Sequence, residues 1–232
     1  MTVRISREGA VVTVAIARPE RRNAVDPETA RALHAAFADF ETSDADVAVL
    51  TGEGGAFCAG FDLTRAGNVG GDGATRRAPP ASGELADDAP GPMGPARLRL
   101  SKPVIAAVEG PAVAGGLELA LWCDLRVAAE DAFFGVYCRR WGVPLIDGGA
   151  IRLPRIVGQG RALDMILTGR RVDADEALAW GLADRLTPPG GALAAAQALA
   201  AEISRFPQAC MRADRGVALD QWSLPRGAAF AR

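Results

Sequence analysis

The chain has 232 residues, of which 49% are hydrophobic, so it can bury the core of one large domain or two small ones. A formal net charge of -2 argues against electrostatic binding to nucleic acid, and no apolar run reaches the roughly 18 residues of a membrane span. The cysteines lack CxxC spacing, and the N-terminus reads as a strand, not a secretion signal. We therefore expect reduced thiols in a cytoplasmic protein at Cys58, Cys123, Cys138 and Cys210.

The first fifty residues predict two strands, a helix and a third strand. Residues 3–5 and 11–17 are typical of a strand pair. A helix is predicted to begin at Asp26, whose side chain suits the N-cap, and Pro27, which suits the first helical position. Residues 47–51 are almost entirely apolar, which favours a strand buried on both faces.

The two stretches that follow differ in composition. Residues 52–63 are rich in glycine and predict a strand and loop whose backbone groups stay accessible. From residue 64 to residue 96, glycine, proline, alanine and charged residues dominate without clear periodicity. We expect this second stretch to be a surface insertion that is mobile or becomes ordered only on binding.

The rest of the sequence is organised around residues 103–124. An apolar run over 103–108 predicts a buried strand, and a turn leads to the pair Gly115-Gly116 at the start of an apolar helix. Free backbone N–H groups at a helix start lie at the positive end of the helix dipole. Glu118, within the first turn, is either a residue that favours this dipole or a catalytic acid.

The second half of the chain predicts two short strands among several helices. Residues 125–128 and 183–186 favour strands, and a helix over 150–157 is expected to be interrupted at Pro154. Further helices are predicted at 161–168, 173–180, 192–206 and 207–219.

This order of elements predicts an α/β fold, because strands and helices alternate first and helices dominate the last third. We expect a core over residues 1–185 and an α-helical C-terminal region over residues 186–232. No internal repeat or composition break marks a linker between them.

Several familiar catalytic and nucleotide-binding motifs are missing from the sequence. It has no Walker A loop, no GxGxxG at a helix start, and no HExxH, EF-hand or GxSxG pattern. His34 is the only histidine, and its place on a helix suits an ordinary residue better than a proton-transfer group. Two glycine-marked segments remain. They could place two N–H groups on one ester or thioester oxygen, or they could serve tight turns and close packing.

Four segments together identify a known family. They are residues 17–25, residues 57–63, residues 108–120 followed by Cys123-Asp124, and residues 169–182. In this order and at this spacing, over residues 3–219, they resemble the enoyl-CoA hydratase/isomerase (crotonase) superfamily. The first resembles the loop that holds the CoA moiety, the next two resemble oxyanion segments, and the last resembles a helix-turn-helix beyond the active site.

The resemblance implies a spiral of ββα units assembled as a homotrimer or a dimer of trimers. It implies that the N–H groups of Phe61 and Gly115 form an oxyanion hole, each stabilising a thioester enolate by roughly 3 kcal/mol. It also implies no metal and no separate cofactor, because coenzyme A is part of the substrate. Contacts to adenine and pantetheine map to Arg22, Ala24, Ala59 and Asp62.

The resemblance assigns the chemistry to two glutamates, and one of them is missing. The first maps to Glu118, but the second maps to Cys138, four residues after Phe134. A thiol, with an ordinary pKa of about 8.5, does not simply replace a carboxylate, so Cys138 is either a small apolar filler or a catalytic thiol. Asp147 is the nearest other acid, and it is either a second catalytic group or the N-cap of the next helix.

The resulting hypothesis is an acyl-CoA enzyme of fatty acid metabolism, an enoyl-CoA hydratase or isomerase in which Glu118 is general base and acid. Isomerisation tolerates the missing glutamate better, because it needs only one proton-shuttling carboxylate. The alternatives are a hydrolase, decarboxylase or dehalogenase that uses Cys138 or Asp147, and a non-catalytic acyl-CoA-binding protein. Arg139 or Arg140 could pair with an acid, and the C-terminus is expected to be short for the family.

Overall fold

The computed structural model describes residues 1–65 and 91–231, which build two β-sheets and the helices that pack on them. Within these residues the larger sheet has the spatial order β1 (Val3–Glu8), β2 (Val11–Ile16), β3 (Val47–Gly52), β4 (Val104–Val108), β6 (Leu125–Ala129) and β9 (Arg185–Thr187). The first pair is antiparallel and the others are parallel. The smaller sheet consists of β5 (Pro111–Val113), β7 (Phe133–Gly135) and β8 (Arg171–Asp173).

The helices connect the strands and cover the larger sheet. They are α1 (Pro27–Thr42), α2 (Gly115–Trp122), α3 (Gly149–Val157), α4 (Gln159–Thr168), α5 (Ala174–Trp180), α6 (Ala192–Ile203), α7 (Gln208–Asp220) and α8 (Arg226–Phe230). The helices predicted from the sequence are all present, with ends shifted by a few residues. In the part of the chain that the structure describes, no helix is long and apolar enough to cross a lipid bilayer.

Both faces of the larger sheet are buried by helices. One face packs against α1 through Leu33, Phe37 and Phe40, and the other packs against α6 through Ala196 and Leu199. Strands β3 and β4 are therefore apolar almost throughout. Burial of each such Leu or Phe side chain contributes about 1.5–3 kcal/mol. Because α6 lies in the predicted C-terminal region, that region completes the core of the sheet.

Two polar side chains define the ends of α1. The Asp26 carboxylate accepts the N–H of Thr29 at 2.8 Å, which confirms the predicted N-cap. At the other end, the buried Lys102 ammonium donates to the carbonyls of Phe40 at 2.9 Å and Ser43 at 2.6 Å. Carbonyls at a helix end lack intrahelical partners, so this cation satisfies them and also favours the negative end of the dipole.

The structure corrects two predictions about the fold. Helix α3 is not interrupted at Pro154, because the missing N–H removes only one backbone hydrogen bond from a helix that packs well elsewhere. The predicted surface insertion ends earlier than expected, since Met93 and Ala96 are buried in the core. The greater part of that insertion, residues 66–90, lies outside the described residues.

Candidate active site

A short strand-like segment, residues 58–62, carries the first predicted oxyanion donor. The N–H of Val25 donates to the Gly60 carbonyl at 2.8 Å, and the N–H of Asp62 donates to the Val25 carbonyl at 2.8 Å. In such parallel pairing, the intervening residue turns its own N–H away from its partner. Phe61 is that residue, so its N–H points away from Val25 and is not used in this pairing.

The second predicted donor lies at the start of α2, close to the first segment. Gly115 is the first residue of α2, so its N–H has no acceptor within the helix. A Cβ atom on Gly60 would lie 3.0 Å from the Gly115 nitrogen, and one on Gly116 would lie 2.1 Å from the Cys58 carbonyl oxygen. The glycines therefore do permit close packing, and that packing places the segment that contains Phe61 against the start of α2.

The backbone immediately before α2 is strained. Ala114 has a φ of 52° and a ψ of -125°, a conformation that costs about 1–3 kcal/mol for a residue with a side chain. Its N–H donates to the Gly135 carbonyl at 2.9 Å, and its carbonyl accepts the N–H of Glu118 at 3.2 Å. The strained residue thus orients the first turn of α2, which carries Glu118.

A cavity of about 460 Å³ lies next to these segments. It brings together most of the predicted site residues, namely Arg22, Ala59, Phe61, Gly115, Glu118, Cys138 and Asp147. Its apolar wall includes Met93, Tyr137, Trp141, Val143 and Ile146. Within residues 1–65 and 91–231, no three His, Cys, Asp or Glu side chains are grouped so that they could hold a metal ion.

Glu118 is buried in the cavity wall, with 3% of its surface exposed. Its Oε1 atom accepts the N–H groups of Asp147 and Gly149, both at 2.9 Å. Burial raises the pKa of Glu118 to about 7, and the Asp147 carboxylate adds to this increase, while the two N–H groups and Arg152 oppose it. A carboxyl group with such a pKa can accept and return a proton at neutral pH, as general acid–base catalysis requires.

Asp147 is the second acid of the cavity, and the prediction that it caps α3 is wrong. Gly148 occupies the N-cap position, with a φ of 91°. The Asp147 carboxylate instead accepts the N–H of Met93 at 3.3 Å. Burial raises the pKa of Asp147, whereas this N–H and the cations Arg97 and Arg152 oppose the increase. The side chain is thus turned towards the cavity rather than along the helix.

Neither Arg139 nor Arg140 pairs with the acids. Arg139 donates to the Ile166 carbonyl at 3.0 Å, and the Arg140 guanidinium lies 3.7 Å from the centre of the Tyr137 ring. Arg152 is the cation that faces both acids, and sequence reasoning missed it. Its place near the start of the helix after the Asp-Gly-Gly loop was the signal that could have identified it.

Cys138 lies where the resemblance placed the second glutamate. It belongs to the short 3-10 helix Tyr137–Trp141 and is 6% exposed. Burial and the neighbouring Glu118 carboxylate raise the pKa of its thiol to about 11. At neutral pH the thiol is therefore protonated, so it does not supply the charge of a carboxylate and is a poor nucleophile.

The loop predicted to hold CoA is anchored from within by Asn23, another residue that sequence reasoning missed. Asn23 is fully buried, with a φ of 57°, and its amide donates to the carbonyls of Glu53 at 2.8 Å and Ala56 at 2.6 Å. The next contact along the loop joins the N–H of Ala59 to the Arg22 carbonyl at 3.0 Å. Arg22 and Ala59 are thereby held together at the cavity.

Two other predicted CoA contacts, Ala24 and Asp62, do not line the cavity. The Ala24 carbonyl accepts a hydrogen bond from the Arg18 guanidinium. The Asp62 carboxylate lies 3.0 Å from Arg18 and accepts the Thr64 hydroxyl at 2.6 Å. Arg18 also pairs with Asp26 at 3.2 Å, so this group joins the loop to the start of α1.

Known proteins resemble this chain in sequence. A profile of the family described as enoyl-CoA hydratase/isomerase matches residues 6–217. Enoyl-CoA hydratase EchA19 of Mycobacterium tuberculosis is 40% identical over 209 residues, which is 86% of this chain and 73% of the relative. Carnitinyl-CoA dehydratase of Salmonella arizonae is 38% identical over 208 residues, which is 87% of this chain and 74% of that relative.

Solved structures share the fold. The crystal structure of enoyl-CoA hydratase EchA1 from Mycobacterium marinum matches with a TM-score of 0.88 and 32% identity, covering 99% of this chain and 86% of that chain. Carnitinyl-CoA hydratase from Mycobacterium avium matches with a TM-score of 0.82 and 33% identity, covering 94% of this chain and 80% of that chain. The predicted crotonase-like α/β fold is confirmed, and the chain belongs to the enoyl-CoA hydratase/isomerase family.

Proposed function

We propose that the chain binds an acyl-CoA thioester and moves its double bond, as an enoyl-CoA isomerase does. The observation that carries this proposal is that Glu118 and Asp147 line the same cavity as Phe61 and Gly115. Two N–H groups can stabilise an enolate oxygen, and adjacent acids can transfer the protons of neighbouring carbons. The names of the relatives support acyl-CoA as the substrate class.

The reaction removes one proton and returns one. With a 3-enoyl-CoA, the Glu118 carboxylate takes a proton from the α-carbon, and the electron pair moves onto the thioester oxygen beside Phe61 and Gly115. When the electrons return, the double bond moves from the β,γ to the α,β position, and the γ-carbon takes a proton from Glu118, or from Asp147, which then regains the proton that Glu118 holds. No atom is gained or lost, so water does not enter the balance.

Hydration of a 2-enoyl-CoA is the second candidate, and the relatives named as hydratases favour it. Hydration requires one group to activate water while a proton reaches the α-carbon. Because the Cys138 thiol is protonated at neutral pH, both tasks fall to Glu118 and Asp147. We place isomerisation first because it needs only one carboxyl group that carries a proton from one carbon to another.

Two substrates distinguish the reactions. A short 3-enoyl-CoA should produce a rise in the absorbance of the conjugated thioester, and Glu118→Gln should abolish this rise while CoA binding remains. Loss of that absorbance from a 2-enoyl-CoA, with incorporation of labelled water oxygen, would identify a hydratase. Release of free CoA would indicate a hydrolase. Binding of both substrates without turnover would contradict the enzyme proposals and favour a binding protein.

Cys138→Glu tests whether the missing acid limits hydration. Because glutamate returns a carboxyl group to the place given by the resemblance, we expect hydration of a 2-enoyl-CoA to increase about 10-fold or more. Cys138→Ser is the matched control, because serine is similar in size to cysteine and adds no acid. Thermal unfolding of both variants checks that they are folded. Equal rates in the two variants would remove the missing acid from the explanation.

We further propose a homotrimer or dimer of trimers that works in the cytoplasm, in fatty acid metabolism, without a separate cofactor. The family resemblance supports this assembly, as do exposed apolar side chains such as Ile151, Leu167 and Trp222. The unpaired state of the four cysteines supports a reducing compartment. Sedimentation should give three or six times the mass of one chain, and a monomer would contradict the assembly.

A further inference from the structure

Arg152, on α3, lies outside the cavity that holds the acids. Its side chain lines a second cavity of about 750 Å³, bordered by α2, α3 and α7. It is not among the residues that line the cavity with Glu118 and Asp147. Arg152 therefore does not touch a ligand bound beside the acids, and any effect that it has on the reaction passes through its neighbours.

The guanidinium joins two chain segments that carry the hydrogen-bond donors of the acids. It donates through Nη1 to the Asp147 carbonyl at 2.9 Å and through Nη2 to the Ala96 carbonyl at 2.7 Å. Along the chain, the Asp147 carbonyl lies between the N–H of Asp147 and the N–H of Gly149. These two N–H groups both donate to Glu118. The Ala96 carbonyl lies three residues after Met93, whose N–H donates to the Asp147 carboxylate.

The charge of Arg152 also faces both acids. It favours the carboxylate form of Glu118 and of Asp147, against the effect of burial. Arg97 has the same effect on Asp147. Asp147 raises the pKa of Glu118, and the Cys138 thiol is a further titratable group that faces Glu118. The guanidinium therefore opposes the two influences, burial and a second acid, that would keep Glu118 protonated.

The other groups that face Arg152 come from the end of α2 and from α3 itself. They are the Cys123 thiol and the Arg155 guanidinium. Arg155 is exposed and lies 5.6 Å from the centre of the Trp222 ring, so it serves as a matched control on the same helix.

We propose that Arg152 is a positioning residue for proton transfer: its two hydrogen bonds hold the donors of Glu118 and Asp147 in place, and its positive charge lies behind both acids. The proposal rests on the proposed function, since it assigns Arg152 a role in the same reaction. A merely structural role, in which Arg152 only ties α3 to the segment at Ala96, would leave the titration of Glu118 unchanged.

Two substitutions separate the charge from the hydrogen bonds. Arg152→Met removes both, whereas Arg152→Lys keeps the charge but loses the two-branched geometry. The pKa of Glu118 is measured by carbon-13 NMR of glutamate labelled at the side-chain carboxyl, with Glu118→Gln identifying the signal. We expect methionine to raise this pKa by about one unit and lysine to leave it nearly unchanged.

The kinetic effect should appear in kcat more than in KM, because Arg152 does not line the acyl-CoA cavity. Loosened geometry should lower kcat about 10- to 100-fold in both variants. In the methionine variant the low-pH limb of kcat/KM should also move upward together with the pKa measured by NMR. Arg155→Met should leave the titration and the kinetics unchanged.

An unchanged Glu118 titration in Arg152→Met would overturn the role of the charge, and a wild-type kcat in Arg152→Lys would overturn the role of the hydrogen bonds. If the methionine variant does not fold, Arg152→Gln removes the charge while keeping one hydrogen bond. The NMR measurement needs no turnover. A chain that is inactive on enoyl-CoA would therefore contradict the proposed function, while the titration would still decide the role of Arg152.

Discussion

Replacement of Glu118 by glutamine tests the burial of this carboxyl group through stability rather than activity. Glutamine has nearly the same shape, and its oxygen can still accept the N–H groups of Asp147 and Gly149. It cannot ionise, so the part of the pH dependence of unfolding that comes from Glu118 disappears in the variant. The difference between wild type and variant across pH therefore isolates one group.

The expected size follows from the raised pKa. On unfolding, the pKa of Glu118 returns from about 7 to its ordinary value of 4.5. Between these values the folded state binds more protons than the unfolded state, so stability falls as pH rises. The contribution is fully present below the unfolded pKa and is lost as pH rises through about 7. Over the whole window it amounts to roughly 3 kcal/mol.

Urea unfolding at about pH 5 and about pH 9 measures this contribution. From about pH 5 to about pH 9, the free energy of unfolding should fall further in wild type than in Glu118→Gln. The difference between the two falls should be most of the roughly 3 kcal/mol. Glu176→Gln is the control, because hydrogen bonds from Arg170 lower the pKa of Glu176. Glu176 is therefore ionised in the folded and the unfolded state throughout this pH range, and its variant should lose as much stability as wild type. Equal losses in wild type and Glu118→Gln would refute the reasoning that burial dominates at Glu118.

Three further predictions concern catalysis and packing. The value of kcat/KM should fall as pH drops through about 7, because Glu118 acts as a base only when deprotonated; a flat profile from about pH 5 to about pH 9 would contradict this role. Gly116→Ala should lower the thermal stability by about 1–3 kcal/mol and also reduce kcat, because the new Cβ would lie 2.1 Å from the Cys58 carbonyl oxygen. The control is Gly160→Ala, where the new Cβ meets open space. This substitution should leave the thermal stability unchanged or increase it. Asn23→Ala should cost about 2–4 kcal/mol in urea unfolding, because buried carbonyls lose their donors; a cost below about 1 kcal/mol would show that they find other partners.

The elements and half of the site could be predicted because their signals are local. Asp26 marks the start of α1 through a contact with a residue only three positions later. The Gly115-Gly116 pair marks the start of α2 because it stands directly before the apolar helical run. The missing second acid was recognised by the register between Phe134 and Cys138. Each of these signals lies within a few residues of the feature that it predicts.

The support behind the acids could not be predicted in this way, because it depends on distant segments. Met93 lies 54 positions before Asp147, in a stretch whose composition continues that of the predicted surface insertion. The position of Arg152 after the Asp-Gly-Gly loop does not by itself show which groups it faces, and Arg139 and Arg140 stand nearer in sequence to Cys138, where the second acid was expected. The arginine that faces the acids is determined by how the loop before α3 folds back onto α2, which is a tertiary property.

The start of α2 shows why the structural and catalytic interpretations of the same glycines belong together. The strained Ala114 costs about 1–3 kcal/mol, and ionisation of the buried Glu118 costs roughly 3 kcal/mol more, within one turn of helix. Neither feature improves packing, so core packing explains the glycines but not the strain or the buried acid. Both are explained if the turn must present the N–H of Gly115 and the Glu118 carboxyl group to the cavity that Phe61 also lines. Unfavourable features that converge on one cavity are typical of functional sites, so they support the proposed function of this cavity.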